Sequence, residues 1–441
     1  MRPGVVTVLC LVQFVDVLGV TSVVTAIPAI LDGVGADQAA AGPLATTYAM
    51  FFGAMLILGA RLGDRYGHRR ILLVGIAVFG LVSVIGGTAN ALPQVLIARA
   101  VQGAAAAVSA PSALRLILHA TTVGPARSRA LAAWSAVGAA AGATGFLVGG
   151  LLTTSLGWSS VFWVNAPVAA LLFAGVVLVV RDQPDRGRAE RLDILGAVLL
   201  VGAVMPVIAG TALLEKQATR TNGVGLLLIG AAVASLLTWR LRHAQSPLVP
   251  REAFRSMNLR RGSVQSFVNT ATTSSSSVLA TLVLQHRLGI PALLSGLVLM
   301  AFSLAVVVGS AATGRLAPRL GPDRLAAVGT ATIAGGNVVL MTLGQSWPWI
   351  GTGVAVIGFG LAAASVAATS LGTSVPGTLT GSAAGIVNTG AQLGTAIGTA
   401  VVILIATASE PSAGWAVAAA GSLACAAWCG SRPHSNTPSR H

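Results

Sequence analysis

Charged residues are scarce in this chain. They make up only 9% of its 441 residues, whereas a soluble domain averages about 25%. So few charges cannot cover a globular surface, and lipid must therefore replace water around most of the protein. The hydrophobic fraction of 54% and the mean hydropathy of +0.82 agree. This composition excludes a soluble globular protein and predicts a chain embedded in a lipid bilayer.

Cysteine and histidine are scarce too. Cys10, Cys425 and Cys429 all lie inside apolar segments, which fits neither a disulfide framework nor the spacing of metal ligands. Cys425 and Cys429 share one helix face, four residues apart, which we interpret as packing. The six histidines lie at the ends of apolar segments or in loops, and the sequence contains no histidine cluster, nucleophile elbow or phosphate-binding loop. We therefore expect no enzyme, no metal site and no cofactor.

Basic residues outnumber acidic ones, but their distribution argues against nucleic acid as a partner. The formal net charge is +15. The basic residues lie in short clusters between long apolar runs, which is the pattern that the positive-inside rule produces in membrane proteins. The charge therefore predicts how the chain is oriented in a membrane, and we expect no nucleic-acid partner.

Long apolar runs divide the chain into membrane-spanning helices. A spanning helix needs roughly 20 apolar residues, and on that measure the sequence predicts about fourteen spans. They fall near 5–30, 41–60, 71–89, 93–117, 128–153, 161–181, 193–214, 222–242, 262–286, 292–313, 324–344, 348–372, 382–406 and 411–430. The first run is longer than the apolar core of a signal peptide, so we interpret it as an uncleaved first span.

The arginines predict the orientation of these spans. With the N-terminus in the cytoplasm, the outer loops contain only three basic residues, Lys216, Arg220 and Arg287. The inner loops then contain Arg61, Arg65, Arg69, Arg70, Arg127, Arg129, Arg181, Arg186, Arg188, Arg191, Arg240, Arg242, Arg251, Arg255, Arg260, Arg261, Arg315, Arg319 and Arg324. Positive charge is enriched in cytoplasmic loops. We expect a multi-pass protein of the inner (plasma) membrane with both termini in the cytoplasm.

The loops after span 2 and span 10 are similar in sequence. The first reads RLGDRYGHRRILLVG from Arg61 to Gly75, and the second reads RLAPRLGPDRLAAVG from Arg315 to Gly329. Seven of the fifteen positions are identical, and the offset is 254 residues, or eight spans. Two six-helix halves alone would give an offset of six spans, so spans 7 and 8 are predicted to be an extra pair between them. Chance similarity, favoured by the abundance of Arg, Leu and Gly, is the alternative.

Several further motifs occur in order along the chain. LIARAVQGAAAA begins at Leu96 in span 4, and WSSVFWVNAP begins at Trp158 before span 6. PLVPREAFR, LQHRLGIPALLSG and SAAGIVNTGAQLGTAIGTAV follow at Pro247, Leu284 and Ser382. With RLGDRYGHRR, these motifs resemble the fourteen-helix drug/proton antiporter branch of the major facilitator superfamily.

The resemblance implies an all-α integral membrane fold with two six-helix halves and two extra helices between them. On that plan the N-terminal half spans 1–185, and the inserted helices with their inner loop span 186–256. The C-terminal half spans 257–431, and 432–441 form a cytoplasmic tail. The resemblance also implies a monomer.

Three positions depart from the pattern of that branch. Phe146 stands where the span 5 motif has proline, and Ser159 stands where arginine is usual. The span 1 motif places an acid nine residues before a proline, but relative to Pro28 that position is Gly19, and the acid appears instead at Asp16. The changes in spans 1 and 5 leave the stoichiometry of ion coupling open.

Asp16 is the only carboxylate well inside a predicted span. It lies about 11 residues after Val5, roughly 17 Å into an apolar core of about 30 Å. A charge there costs at least about 2.5 kcal/mol, so Asp16 is predicted to take up and release protons as its exposure alternates. A structural acid bonded to neighbouring helices is the alternative.

Arg99 and Gln102 match the span 4 motif, and the resemblance implies that they act in proton coupling. Because arginine does not lose its proton, Arg99 is expected to act through its charge on a nearby acid or water. An arginine that extends to the outer interface is the alternative.

The loop after span 2 is predicted to form a cytoplasmic gate. The residues assigned to it are Asp64, Arg65, Gly67, Arg69 and Arg319. The resemblance places the acid, Asp64, against the N-terminus of a helix in the other half, which begins near Gly381 and Ser382. Such a contact is favourable by roughly 0.3–1 kcal/mol.

Two further groups of residues are predicted inside the bundle. Glycines let membrane helices approach closely, and those of span 5 are Gly138, Gly142, Gly145, Gly149 and Gly150. Polar residues expected to line a substrate cavity are Gln13, Asn269, Gln285, Asn337, Asn388 and Gln392, together with the serines at 274–277.

We expect a secondary transporter that exports small amphipathic drugs or antibiotics in exchange for protons by alternating access. Its partners are then the bilayer, a small-molecule substrate and protons. Export of a single endogenous metabolite and uptake by proton symport remain alternatives, and a channel fits a two-half repeat poorly. A membrane-embedded transferase would need a concentrated site of His, Asp or Glu, which the loops lack.

Overall fold

The computed structural model describes residues 3–122, 125–181, 193–214, 217–244, 252, 255–375 and 380–430. Fourteen α-helices longer than three residues are assigned within these ranges, and we number them in chain order. They are α1 Pro3–Gly33, α2 Ala41–Tyr66, α3 His68–Gly87, α4 Leu92–Ala120, α5 Pro125–Leu156, α6 Ser160–Trp163, α7 Asn165–Val179, α8 Ile194–Leu213, α9 Arg220–His243, α10 Met257–Leu282, α11 Ala292–Leu343, α12 Trp347–Thr373, α13 Thr380–Ala408 and α14 Pro411–Gly430. The predicted tail, 432–441, lies outside the described residues.

Two predicted spans are joined in one helix, and one predicted span is divided. The 52 residues of α11 contain spans 10 and 11, which meet at Gly321 with φ 71° and ψ 166°. Span 6 is divided between the short α6 and α7, with Val164 between them. Taken together, these segments give the fourteen predicted spans.

Thirteen of these spans, among the described residues, are long and apolar enough to cross a membrane. The exception is α10, whose sequence is rich in Ser, Thr, Asn and Gln. Its Gln265, Asn269 and Ser276 are buried within the protein. Since these side chains face other helices rather than lipid, α10 can occupy a transmembrane position without an apolar surface all round.

The repeated loop contains a glycine with positive φ at the same position in both copies. Gly67 has φ 93° and its counterpart Gly321 has φ 71°, a region that residues with a side chain rarely adopt. The second repeated pair also has matching contacts. A Cβ on Gly75 would press on the backbone of α4, and a Cβ on Gly329 would press on the backbone of α12. The two loops are therefore similar in structure at two of their repeated glycines, which supports an internal repeat.

The helices pack as two groups that meet along two seams. Helices α1–α7 pack among themselves, as do α10–α14, and the seams are α2 with α13 and α5 with α11. In the repeat, α2 corresponds to the first half of α11, and α5 corresponds to α13. The two seams are thus the same contact seen twice, as expected for halves related by a pseudo-two-fold axis. The domain boundaries drawn from the sequence stay a prediction.

The two additional helices form a hairpin on one seam. Helix α8 packs against α2 and α13, and α9 packs on α8. The buried Asp193 caps α8 by accepting a hydrogen bond from the Gly196 amide at 2.9 Å. Arg240 of α9 donates to the same carboxylate oxygen from Nε at 2.9 Å and Nη2 at 2.6 Å. This ion pair joins the two helices at one end of the hairpin.

Candidate functional site

A buried arginine lies at the centre of the N-terminal helices. Helix α4 places Arg99 with 1% of its surface exposed. Its Nη1 donates to the Gly19 carbonyl oxygen at 2.9 Å and to Gln102 Oε1 at 3.2 Å. Gln102 Nε2 in turn donates to Ser83 Oγ at 2.8 Å. The predicted pair, Arg99 and Gln102, is therefore one hydrogen-bonded chain that joins α1, α4 and α3.

A tyrosine that we did not predict completes this site. Tyr48 of α2 is 2% exposed, and the Arg99 guanidinium carbon lies 4.6 Å from the centre of its ring. The Tyr48 hydroxyl donates to the backbone oxygen of Asp16 at 3.2 Å. Tyrosine is rare in this chain, with two in 441 residues, and that rarity inside an apolar span is the signal that could have identified it.

Asp16 lies one turn from the Arg99 contact on α1. It is 7% exposed, and its Oδ2 has no hydrogen-bond partner among the described residues. Arg99 bonds instead to the carbonyl of Gly19, the position where the resemblance places an acid. The structure therefore brings Asp16 near Arg99 through Tyr48 and not by a direct ion pair. A buried carboxyl with an unpartnered oxygen is costly when ionised.

Three of the five span 5 glycines have a packing role. A Cβ on Gly145 or Gly149 would clash with α1, and a Cβ on Gly150 would meet the backbone of α11 within 3 Å. Gly138 and Gly142 differ, because a Cβ there would have ordinary contacts of 3.5 and 3.6 Å. The predicted close approach of helices therefore applies to the half of α5 nearer its C-terminus.

Comparison with known proteins identifies the family. The Major Facilitator Superfamily model matches residues 9–239 and 262–440. The chain belongs to the major facilitator superfamily. It is 34% identical to a cephamycin export protein of Amycolatopsis lactamdurans, over 90% of this chain and 83% of that protein. It is 32% identical to a puromycin resistance protein of Streptomyces alboniger, over 92% of this chain and 81% of that protein.

Solved structures show the same fold. A bacterial homologue of the human lysosomal transporter Spinster, in an inward-facing and unoccupied conformation, has a TM-score of 0.72 at 15% identity, and the match covers 97% of this chain and 96% of that one. The human organic anion transporter MFSD10 has a TM-score of 0.66 at 17% identity, covering 97% and 99%. The predicted fold class is thus confirmed, and this superfamily member is a multi-pass membrane transporter and not an enzyme.

The predicted cavity residues of this transporter have three different environments. Gln13, Asn388 and Gln392 are half-buried. Asn269 and Asn337 are fully buried in the C-terminal helices, where Asn269 accepts from Gln265 and Asn337 accepts from Ser276. The Asn337 bond joins α11 to α10, whereas the Asn269 bond lies within α10.

Gln285 differs from the other predicted cavity residues. Its Nε2 donates to the Thr25 carbonyl oxygen at 2.8 Å, which links α1 to the turn that follows α10. This bond connects the two halves.

The residues of the predicted gate are placed at the junction of α2 and α3. Asp64 is exposed and lies 3.1 Å from His68 Nε2, Arg65 lies 5.4 Å from the Tyr66 ring, and Arg69 donates to the Val177 oxygen at 3.1 Å. Gly67 forms the turn with its positive φ, and Arg319 is exposed on α11. The side chains of Gly381 and Ser382, where the partner of Asp64 was predicted, lie outside the described residues, so the gate stays a prediction.

Proposed function

We propose that this transporter exports small amphipathic drugs or antibiotics in exchange for protons by alternating access. The observation that carries the proposal is the buried Asp16 carboxyl, whose Oδ2 is unpartnered among the described residues, beside the Tyr48–Arg99 contact. The relatives at 32% and 34% identity are resistance and export proteins, which supports export over uptake.

Asp16 is the proton-carrying group in this proposal. Ionised in its present surroundings it would have no direct ion pair, because Arg99 donates to Gly19 and Gln102 instead. Proton loss therefore requires that Asp16 gain water or a cationic partner, which a change in helix packing supplies. Arg99 keeps its proton throughout and acts by fixing the position of α1 next to the acid.

Alternating access follows from where the halves touch. Gly150 meets Ala292, and a Cβ on Gly296 would clash with the Phe146 oxygen. The Gln285–Thr25 bond lies at the same end of the bundle, which is predicted to face outside. These contacts close that end. Release of a substrate to the outside requires that they separate, whereas Asp16 lies deeper in α1.

The charge of the substrate limits what one proton can drive. An entering proton gains about 2.3 kcal/mol per 100 mV and about 1.4 kcal/mol per pH unit. Against a neutral substrate both contributions act, but against a monovalent cation the electrical contributions cancel and about tenfold per pH unit remains. With Asp16 as the only acid buried in mid-helix among the described residues, neutral and monocationic compounds are the expected substrates.

Export of one dedicated compound is the second candidate. Two relatives are named for single antibiotics, puromycin and cephamycin, and this observation favours a narrow substrate range. Phe146 replaces the proline of the span 5 motif and is the residue that favours proton symport. Export lowers the amount of substrate inside the cell, whereas uptake by proton symport raises it.

Accumulation of fluorescent monocationic dyes and neutral antibiotics in efflux-deficient cells tests the proposal. Cells with the native protein are expected to accumulate less, and Asp16→Asn or a protonophore is expected to abolish the difference. Asp32→Asn is the matched control, because it removes an exposed carboxylate from the same helix. Higher accumulation with the native protein would contradict export, and loss of the difference in Asp32→Asn at equal expression would contradict a special role for Asp16.

A further inference from the structure

Two buried thiols converge on one oxygen atom near the C-terminal end of α14. Cys425 and Cys429 are 6% and 2% exposed. Both Sγ atoms lie 3.0 Å from Oε1 of Gln265 on α10. Neither thiol takes part in the proton-coupling site, which lies among the N-terminal helices.

The position of Gln265 is fixed by its other bonds. Its Nε2 donates to Thr330 Oγ1 on α11 at 2.9 Å and to Asn269 Oδ1 at 3.1 Å. Since both of these acceptors are buried, the amide is held with its oxygen towards α14. The two sulfurs and this oxygen therefore form a preorganised group contributed by α10 and α14.

The two thiols and the amide oxygen form only weak hydrogen bonds, but they suit the coordination of a soft metal ion. A thiol is a poor hydrogen-bond donor, so two thiols on one acceptor contribute little to stability. Two sulfurs one helical turn apart match the preference of soft metals for thiolate ligands.

We propose that Cys425 and Cys429 form a dithiol site that binds one soft, thiophilic metal or metalloid ion, with the Gln265 oxygen within reach as a further ligand. The site is independent of the proposed transport function. For a trivalent arsenical R–As=O, both S–H bonds break and two As–S bonds form. The arsenic-bound oxygen leaves as water with the two protons, and arsenic stays trivalent.

Phenylarsine oxide is the probe for this proposal, because it requires two neighbouring thiols for stable binding. Intact-mass spectrometry of the purified, folded full-length protein is expected to show one bound phenylarsenic group. Cys425→Ser and Cys429→Ser are each expected to lose it. Cys10→Ser is the matched control, since Cys10 is also buried but has neither of the other two cysteines on its helix, and it is expected to keep the group.

Reversal distinguishes a dithiol site from single reactive cysteines, and it needs no variant to fold. Dimercaptopropanol is expected to remove the group at concentrations at which mercaptoethanol does not. Equal reversal by both reagents, equal binding to Cys425→Ser, or binding only after the protein is unfolded in dodecyl sulfate would overturn the proposal.

Discussion

Substitutions at Tyr48 separate the energetic contribution of its ring from that of its hydroxyl. Tyr48→Phe removes one neutral hydrogen bond, from the hydroxyl to the backbone oxygen of Asp16 at 3.2 Å. Such a bond is worth about 0.5–1.5 kcal/mol. Tyr48→Leu also removes the ring that lies 4.6 Å from the Arg99 guanidinium carbon. A desolvated contact of this kind is worth about 2 kcal/mol. The ring therefore contributes more than the hydroxyl to holding Arg99.

The expected functional effect follows from that difference. If about 2 kcal/mol is lost only from the state in which Arg99 is fixed, the ratio of that state to the others falls about thirtyfold, because 1.4 kcal/mol is a factor of ten in an equilibrium constant. Tyr48→Leu is thus expected to lose most proton-driven transport, and Tyr48→Phe to keep a large part of it. Substrate movement down its own gradient should change less in both variants.

The assay is transport into vesicles, measured with an imposed pH gradient and with a substrate gradient alone. The ratio of the two rates reports coupling and not protein amount. Phe52→Leu is the matched control, because Phe52 stacks on Tyr48 at 6.2 Å on the same helix. The reasoning is refuted if Tyr48→Leu keeps the native ratio, or if Phe52→Leu lowers the ratio as much.

Three further predictions concern folding and stability, and thermal unfolding in detergent checks each one. Gly149→Val is expected to prevent native folding, because its side chain would overlap the backbone of α1; a native unfolding profile would contradict this packing. Arg240→Gln is expected to destabilise by about 3 kcal/mol, since it removes the cation that compensates the buried Asp193 carboxylate, whose side chain is 1% exposed. Asp193→Asn should cost less, because the Arg240 side chain is 27% exposed and can reach water. Gly67→Ala is expected to cost about 1–3 kcal/mol, because φ is 93° there, whereas Gly225→Ala, with open space around it, should cost nothing measurable.

The sequence was sufficient for the broad architecture because lipid imposes a simple pattern. Length and apolar runs predicted about fourteen spans, thirteen of which are long and apolar enough among the described residues to cross a membrane, and the repeated loop revealed the two additional helices. Helix α10 shows the limit of hydropathy. Its Ser, Thr, Asn and Gln side chains are buried against other helices, and the count of eight spans between the repeats supports the span predicted at 262–286.

The site was predicted only in part, because contacts between distant segments are invisible in one sequence. Arg99 and Gln102 were identified by their motif, and the structure joins them. Tyr48 was missed because its one available signal, the rarity of tyrosine in this chain, does not tell which residue its ring contacts, and the structure shows that this residue is Arg99. Spacing along one helix does not tell which neighbour each face meets. The sequence therefore could not show that Gly149 packs tightly and Gly138 does not.

The acid that the span 1 motif places at position 19 is found at position 16 in this chain, as Asp16. This shift has a structural consequence. The Gly19 carbonyl accepts from Arg99, so the arginine is held at the position where the span 1 motif places an acid. Asp16 is left with an unpartnered oxygen among the described residues. The acid is thereby separated from the fixed positive charge by one turn of α1, with Tyr48 between them.

The measurement that tests proton-coupled export most directly is proton movement in proteoliposomes. A pH-sensitive dye trapped inside reports protons that move when a transported substrate is added on one side. The native protein and Asp32→Asn are expected to move protons against the substrate, whereas Asp16→Asn is expected to move none while it still exchanges substrate down a gradient. Native proton movement in Asp16→Asn would contradict the central role of Asp16.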